Sequence, residues 1–235
     1  MTANLRDRYY EELWESVPHG ARPPGLERRL EFLLEHLSRF HPSPGAPSAG
    51  ADVPRALGEA PPEQLRVLDV GCGEAQLTAA LADAGYQVLG VDVAEEPLRR
   101  ARSRHPGLDL RRVEADGCWP LADASFDAVW AGETIEHVLD TAGWLSELRR
   151  VLRSGGQLLL STPAHGPLTR LALAVSARRF DRRFDPRGDH LRFYTRGSLA
   201  RLLADFGFEQ VRVREAGGVP GARRTLLASA VRSRF

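Results

Sequence analysis

The sequence predicts an α/β protein whose central sheet is mostly parallel and doubly wound, with helices on both faces. Three observations lead to this prediction. From Gln64 onward, short and nearly all-apolar segments alternate with amphipathic ones, which is typical of buried parallel strands and their covering helices. Glycines directly follow the first apolar segment. Acidic residues follow the later apolar segments. If these segments are parallel strands, their carboxyl ends share one edge of the sheet.

The pattern of apolar residues locates each element. The parallel strands are predicted at residues 65–70, 86–91, 108–113, 125–131 and 156–162. Helices are predicted at residues 75–85, 95–104, 141–153, 167–179 and 195–206. Two further strands, 208–215 and 225–232, are joined by a Gly/Pro turn, so the sheet is predicted to end in a hairpin.

The chain before the sheet divides into two parts. Residues 1–40 contain two predicted helices and are expected to form a helical lid. Residues 41–63 contain six prolines, which indicates a linker. The aromatic residues Tyr9, Tyr10 and Trp14 lie on one side of the first helix. They either pack on the domain or cover the ligand edge, which the linker would allow.

Composition excludes several classes of protein. The 235 residues carry a formal net charge of +1, and all 32 basic residues are Arg, so the chain as a whole has no bulk attraction to nucleic acid or anionic membranes. The cysteines Cys72 and Cys118 cannot make a disulfide framework. The first residues lack the apolar core of a signal peptide, and no apolar run is long enough to span a membrane. These features predict a cytoplasmic protein.

The strongest local signal is the segment VLDVGCGEAQL at residues 67–77. A buried strand reaches Asp69, the turn Gly71-Cys72-Gly73 follows, and a helix begins. Glycine lets the backbone turn sharply and lets a ligand approach the main chain closely. Gln76 stands where the dinucleotide fingerprint has its third glycine, which disfavours binding of a dinucleotide.

Acidic residues at later strand ends add to this signal. Asp92 ends the second strand about 20 residues after the glycines, where a carboxylate would meet a ribose diol. Asp116-Gly117 follow the third strand, and the segment from Glu133 to His137 follows the fourth. All of them are expected at the edge of the sheet where ligands bind in open α/β folds.

These residues carry a family resemblance. The segments VLDVGCGEA, LGVDV, VEADGCWPLADASFDAVWAGETIEHV, ELRRVLRSGGQLLLSTP and DHLRFYTRGSLARLLADFGFEQVRV resemble class I S-adenosylmethionine (SAM)-dependent methyltransferases, of the group similar to the ubiquinone and menaquinone biosynthesis methyltransferases. The resemblance spans about residues 64–215. It implies SAM as cofactor, S-adenosylhomocysteine as product, and a Rossmann-like sheet of seven strands, the last antiparallel and inserted beside the fifth and sixth. Residues 64–235 would form this domain.

The resemblance also implies roles for the residues at the strand ends. Around the methionine part, Gly71 and Gly73 would line SAM with backbone atoms, Asp69 would fix the loop or the amino group, and Glu133 would lie beside the sulfonium. Cys72, inside the turn, is counted with these cofactor-binding residues, and its thiol is interpreted as space-filling and not as a nucleophile.

For the adenosine part, the resemblance implies that Asp92 holds the ribose hydroxyls with Val93 beside the adenine. Asp116 would meet the exocyclic amine, with Gly117 close by. A purely structural turn or helix cap is the alternative interpretation of both Asp69 and Asp116.

Methyl transfer requires alignment of the acceptor with the sulfonium and exclusion of water. No carboxylate cluster indicates a metal, so the sequence predicts metal-independent transfer. His137 and His165, each just after a strand, are the candidate general bases for a hydroxyl acceptor. The alternatives are a helix-capping role for His137 and a solvent-exposed loop position for His165. His190 is interpreted as structural.

The insert at about residues 163–194 is predicted to cap the substrate. It is rich in arginines balanced by aspartates, which indicates either a solvated, salt-bridged surface or recognition of a carboxylate or phosphate.

The predicted function is therefore methyl transfer to a small molecule, with a hydroxyl oxygen as the favoured acceptor. An RNA-modifying methyltransferase of the same fold is the first alternative, which the near-neutral charge disfavours. The others are a nucleotide-dependent oxidoreductase and a non-catalytic SAM-binding subunit. The sequence indicates neither the acceptor nor the oligomeric state.

Overall fold

The structure is a computed structural model that describes residues 5–40, 64–115, 118–186, 188–219 and 222–234. The predicted linker at 41–63 and the predicted site residues Asp116 and Gly117 lie outside the described residues. No helix of the described parts is long and apolar enough to cross a membrane.

A single seven-stranded sheet organises the described chain. The strands are β1 (Arg66–Val70), β2 (Gln87–Asp92), β3 (Asp109–Arg112), β4 (Phe126–Gly132), β5 (Leu152–Pro163), β6 (Phe208–Val219) and β7 (Ala222–Arg232). Their order is β3-β2-β1-β4-β5-β7-β6. Strands β1 to β5 are parallel, and β7 is antiparallel to both β5 and β6. The predicted sheet and its inserted last strand are confirmed.

Eight helices accompany the sheet in the described residues: α1 (Leu5–Ser16), α2 (Leu26–Phe40), α3 (Gln76–Asp83), α4 (Glu95–Arg104), α5 (Thr141–Val151), α6 (Pro167–Ala174), α7 (Ala177–Arg183) and α8 (Arg196–Asp205). The helix predicted at 167–179 is wrong in one respect, because it is two helices. The chain breaks after α6, and the Ser176 side chain accepts the first-turn N–H of Arg179 to begin α7.

The fifth strand begins earlier than predicted. The predicted helix ends at residue 153 and the predicted strand begins at residue 156, but β5 starts at Leu152, directly after α5. Leu152 pairs with Phe126, and the register then shifts before Ala128 pairs with Gln157. Gly155 has a left-handed φ of +75° at this irregularity, so the glycines shape a bulge within the strand.

Helices cover both faces of the sheet, and α2 belongs to one of these layers. Its side chains Phe32, Leu33 and Leu37 are almost fully buried and pack with Trp130 of β4 and Leu81 of α3. The expectation that both N-terminal helices form a lid therefore fails for α2, since its apolar stripe completes the core. Only α1 remains free of that core to cover the edge of the sheet.

Candidate functional site

A cavity of about 320 Å³ opens at the carboxyl ends of the parallel strands, beneath α1. Of the residues predicted from sequence, five line it: Gly71, Asp92, Val93, Glu133 and His137. Side chains of α1 close its outer side, namely Tyr10, Leu13 and Trp14. Apolar and aromatic residues from later loops complete the wall, among them Val113, Trp119, Val138, Leu139 and Trp144.

The turn after β1 is built for close approach. Gly71 and Gly73 have left-handed φ angles of +72° and +54°. The N–H groups of Gly71 and Cys72 both donate to the carbonyl of Val91, at 2.8 and 3.1 Å. A Cβ on Gly71 would lie 2.5 Å from Oγ1 of Thr134, and one on Gly73 would lie 2.9 Å from the Trp14 ring. The turn is thus held against β2 on one side and has room for main chain alone on the other.

Asp92 joins this turn to the second strand. Its Oδ2 accepts the N–H of Gly73 at 2.9 Å, and its Oδ1 accepts the N–H of Ala94 at 3.0 Å. Asp92 is only 7% exposed, and this burial raises the pKa of its carboxyl group, against the lowering effect of the two N–H donors. The carboxylate therefore lies in a fixed position at the cavity wall.

Asp69 and Cys72 do not line the cavity, as far as the described residues define it. Oδ2 of Asp69 accepts the hydroxyl of Thr78 in α3 at 2.6 Å, and burial raises the pKa of Asp69 to about 7. This contact ties the end of β1 to α3. The Cys72 thiol packs in the cluster with Leu98 and Leu110, so it fills space between β2 and α4.

Glu133 occupies the end of β4 in a strained conformation. Its φ is +52°, a left-handed value that non-glycine residues seldom adopt. Its N–H donates to the carbonyl of Ser161, and its Oε1 accepts the Ser161 hydroxyl at 2.8 Å. Arg29 of α2 reaches the same Oε1 at 3.4 Å. The side chain is therefore held from β5 and from α2 together.

The sequence did not predict Arg29 as a residue of the site. The residue is 8% exposed, and its Nε has no hydrogen-bond partner within the described structure. A signal existed, because Arg29, Leu33 and Leu37 recur at a spacing of four and share one face of α2. A charged residue on the buried stripe of a helix points to a specific partner.

His137 is the predicted base candidate that the structure places at the cavity. Its Nδ1 lies 3.0 Å from the carbonyl oxygen of Asp189, so Nδ1 carries the proton and donates there. The Tyr10 hydroxyl donates to the backbone carbonyl of His137 at 3.1 Å, which connects α1 to this loop.

His165 does not reach the cavity. It is 6% exposed, its Nδ1 contacts the carbonyl of Tyr194 at 3.2 Å, and its Nε2 accepts from Nε and Nη2 of Arg183 at 3.0 and 2.7 Å. Burial, followed by the charge of Arg183, lowers the pKa of His165. Both ring nitrogens are engaged away from the cavity, so neither predicted interpretation of His165, general base or solvent-exposed residue, matches its position.

The helix α1 is fastened over the cavity by polar contacts. The carboxylate of Glu11 accepts the N–H groups of Glu95 and Glu96 at 2.6 and 2.9 Å, in the first turn of α4. Arg100 of α4 donates to the carbonyls of Trp14 and Val17 at the end of α1. Because Tyr10 and Trp14 line the cavity, the geometry favours the lid interpretation for this helix.

The insert contributes less to the cavity than predicted. Of its described residues, Asp189 alone lines the wall. Most of its arginines are exposed, which agrees with a solvated surface: Arg170, Arg178, Arg179 and Arg182. The end of the insert is held firmly, since the N–H groups of Leu191 and Arg192 both donate to the carbonyl of Glu136.

Next to the cavity lies a group of ionisable side chains, and the sequence did not predict that they come together. Potential ligand atoms of Glu136, His137 and His190 all lie within 4.8 Å of one another. Glu136 is 1% exposed, and burial together with the nearby charge of Glu133 raises its pKa to about 8. The imidazole rings of His137 and His190 meet edge to face, with centroids 4.9 Å apart.

Comparison with known proteins places the chain in a family. Residues 27–213 match the model of a family described as "Methyltransferase domain". A ubiquinone biosynthesis O-methyltransferase from a Ruegeria species is 35% identical over 161 residues, which cover 65% of this chain and 64% of that protein. A protein of the same name from Ruegeria pomeroyi is 33% identical over 209 residues, 85% of this chain and 78% of that one. The match to the first of these spans less than two thirds of its length.

A solved structure agrees with this placement. A SAM-dependent methyltransferase from Methanosarcina mazei superimposes with a TM-score of 0.57 at 25% identity, covering 73% of this chain and 94% of that one. Fold and cavity together define a Rossmann-like α/β protein of the methyltransferase type. The chain belongs to the methyltransferase domain family, as the sequence predicted, and the cofactor of the family's SAM-dependent members is the one expected here.

Proposed function

We propose that this chain is an enzyme that transfers a methyl group from SAM to a hydroxyl oxygen of a small-molecule acceptor. One observation carries the proposal: a single cavity connects the Gly71 turn and Asp92 at one end with His137 at the other. The names of the Ruegeria relatives support oxygen as the acceptor atom.

The residues of the first end suit a SAM molecule. Asp92 presents a buried carboxylate for the ribose hydroxyls, beside Val93 and the apolar wall at Val113 for the adenine. Gly71 brings the main chain of the turn to the cavity wall, and glycine lets a ligand approach the main chain closely. SAM supplies an electrophilic methyl group on its sulfonium.

An acidic and a basic side chain suit the charged groups in the methionine part of SAM. Glu133 lines the cavity, where its carboxylate can stabilise the ammonium and sulfonium groups. Arg29 lies behind it with an unpartnered Nε, so we assign Arg29 to the methionine carboxylate. Nη2 of Arg29 already pairs with Glu133, and a bound carboxylate would supply a partner for Nε.

The second end suits the acceptor. Leu139, Trp144 and Tyr10 form apolar walls that would pack against an aromatic or aliphatic body and exclude water. His137 and its ionisable neighbours stand at the polar corner, where they would orient the acceptor hydroxyl and promote loss of its proton. The helix α1 would serve as a lid over both the cofactor and the acceptor.

Two measurements test this proposal. Calorimetric titration with S-adenosylhomocysteine should show one site per chain. Incubation with methyl-labelled SAM and a panel of phenols, catechols, amines and bulk tRNA should label a hydroxyl compound. Labelling of tRNA alone would establish the RNA-modifying alternative, and binding without labelling of any acceptor would favour the non-catalytic subunit.

A further inference from the structure

We infer that Glu74 and Gln76, which follow the glycine turn at residues 71–73, are positioning residues that couple this turn to the lid helix α1. A ligand on the turn would then also hold the lid closed. The carboxylate of Glu74 accepts the N–H of Gly20, in the loop that connects α1 to α2, at 2.8 Å. The inference rests on the proposed function, since it takes SAM as the ligand of the turn.

Glu74 carries its charge in a buried position. Its side chain is 2% exposed and contacts two arginines of α4. Nη1 of Arg104 donates to its Oε2 at 2.7 Å, and Nη1 of Arg100 donates to its Oε1 at 3.3 Å. Burial alone would raise the pKa of Glu74, but the hydrogen bonds from these arginines and from Gly20 outweigh it and lower the pKa. A buried carboxylate is costly unless it is paired, so these partners fix its position.

Arg100 extends this contact to the lid itself. Its side chain is 4% exposed, and it also donates to carbonyl oxygens at the end of α1, from Nη2 to Trp14 at 3.0 Å and from Nη1 to Val17 at 2.8 Å. The Trp14 ring lies over Gly73, where a Cβ would stand 2.9 Å from it. The turn and the lid therefore meet twice, once through this ring and once through the ion pair of Glu74 with Arg100.

Gln76 gives an independent contact between the same two segments. It stands where the dinucleotide fingerprint has its third glycine, and it is the first residue of α3. Its Nε2 donates to the carbonyl oxygen of Ala21, next to Gly20 in the loop after α1, at 3.1 Å. A glycine has no side chain that could make this contact. The residue that departs from the dinucleotide fingerprint thus connects the start of α3 to the lid.

Ligand binding and lid closure would strengthen each other through these contacts. If the closed lid binds the ligand more tightly than the open lid, the ligand favours the closed lid by the same factor. Tyr10 of α1 lines the acceptor end of the cavity, and its hydroxyl donates to the carbonyl oxygen of His137. A cofactor on the turn would therefore also complete the acceptor wall. Glu74 and Gln76 would act through the lid and not by contact with either ligand.

Hydrogen exchange of the α1 amides, measured by mass spectrometry on the full-length protein with and without S-adenosylhomocysteine, tests the coupling. In the wild type we expect the ligand to slow this exchange. Glu74→Gln keeps the shape of the side chain and removes its charge. In this variant, exchange in α1 should be at least about fivefold faster, and the dissociation constant of S-adenosylhomocysteine should rise at least about fivefold, the lower end of the range for coupled sites. Gln76→Ala should change both quantities in the same direction.

Asp127→Asn is the matched control. Asp127 is also a buried carboxylate with one N–H donor, from Arg66, and one arginine partner, Arg153. It lies near the amino end of β4, and ligands of the turn bind at the carboxyl end of the sheet. This variant should lower the stability in urea but leave exchange in α1, and its response to the ligand, as in the wild type.

Exchange in α1 that is the same in Glu74→Gln, Gln76→Ala and the wild type would overturn the inference. If Glu74→Gln unfolds, Gln76→Ala decides the matter, since Gln76 is only half-buried. In a Trp14→Ala background, Glu74→Gln should add little to the off-rate of the ligand; full additivity would show that Glu74 does not act through the lid. If the wild type binds no S-adenosylhomocysteine, the proposed function fails, and exchange without ligand decides whether these residues hold α1.

Discussion

The N–H of Gly73 donates a 2.9 Å hydrogen bond to Oδ2 of Asp92, and this bond joins the ends of two neighbouring parallel strands. The turn after β1 and the carboxylate after β2 are separate in sequence, but the parallel pairing of β1 with β2 brings them together. Their contact fixes the cavity wall on which the proposed cofactor site depends.

Substitution Gly71→Ala should damage both the turn and the site. The left-handed φ of +72° disfavours any L side chain by about 1–2 kcal/mol, and the new Cβ would meet Oγ1 of Thr134 at 2.5 Å. We expect the free energy of unfolding in urea to fall by at least that amount and binding of S-adenosylhomocysteine to weaken. Gly107→Ala is the control, since a Cβ there meets nothing within 4 Å. Equal stability of the two variants would contradict the prediction.

Substitution Trp14→Ala should loosen the lid. The Trp14 ring lies directly over Gly73 and lines the cavity, so its loss would expose the bound ligand to water. We expect the dissociation constant of S-adenosylhomocysteine to rise about tenfold, or 1.4 kcal/mol, mainly through a faster off-rate in stopped-flow fluorescence. Glu15→Ala changes an exposed residue of the same helix and should leave the off-rate unaltered. An unchanged off-rate in Trp14→Ala would show that α1 does not act as a lid.

Substitution Arg29→Met should weaken ligand binding through the carboxylate of the methionine part. We expect binding of S-adenosylhomocysteine to lose about 1.5–3 kcal/mol of free energy, the scale of a hydrogen bond to a charged group. An analogue that lacks the carboxylate should bind wild type and variant alike. Arg28→Met alters the exposed neighbour on α2 and serves as the control. A similar loss of affinity for both ligands would mean that Arg29 acts only by supporting Glu133.

Substitution Asp69→Asn should change how stability depends on pH. The pKa of about 7 in the fold exceeds the unfolded value of about 3.9, so the folded state retains a proton that the unfolded state loses. Stability from this group is therefore present below pH 4 and is lost as pH rises through 7. Without ligand, Asp69→Asn should be more stable than wild type at pH 8, by up to about 4 kcal/mol, and similar at pH 4.

Chemical denaturation across this pH range measures the difference. Asp205→Asn, at an exposed position of α8, is the control and should track the wild type at both pH values. A wild type that is more stable than Asp69→Asn at pH 8 would show that the fold stabilises the Asp69 carboxylate and does not raise its pKa.

The sheet could be predicted because its signals are local. The signals for β1, its glycine turn and Asp92 each come from residues that are neighbours in sequence. The bounds of α4 agree with the predicted ones. The break at Ser176 was missed because apolar periodicity continues across it, and only the cap of α7 marks it. The start of β5 at Leu152 was missed because glycine indicates both a helix end and a strand bulge.

The missed parts of the site depend on packing between distant elements. Arg29 meets Glu133 only because α2 packs on the sheet, and His190 meets Glu136 only because the insert returns to that loop. His165 follows β5 as His137 follows β4, yet Arg183 and the carbonyl of Tyr194 hold its ring away from the cavity. A residue that directly follows a strand is predicted to lie at the edge of the sheet. The direction of its side chain there is set by its tertiary partners.

Calorimetric titration of S-adenosylhomocysteine into wild type and Asp92→Ala tests the account most directly, with Asp205→Ala as control and unfolding curves to verify that each variant is folded. The account predicts one site per chain in the wild type and in the control, and a loss of about 1–3 kcal/mol of binding free energy in Asp92→Ala. Wild-type affinity in a folded Asp92→Ala protein, or no binding by the wild type at all, would contradict it.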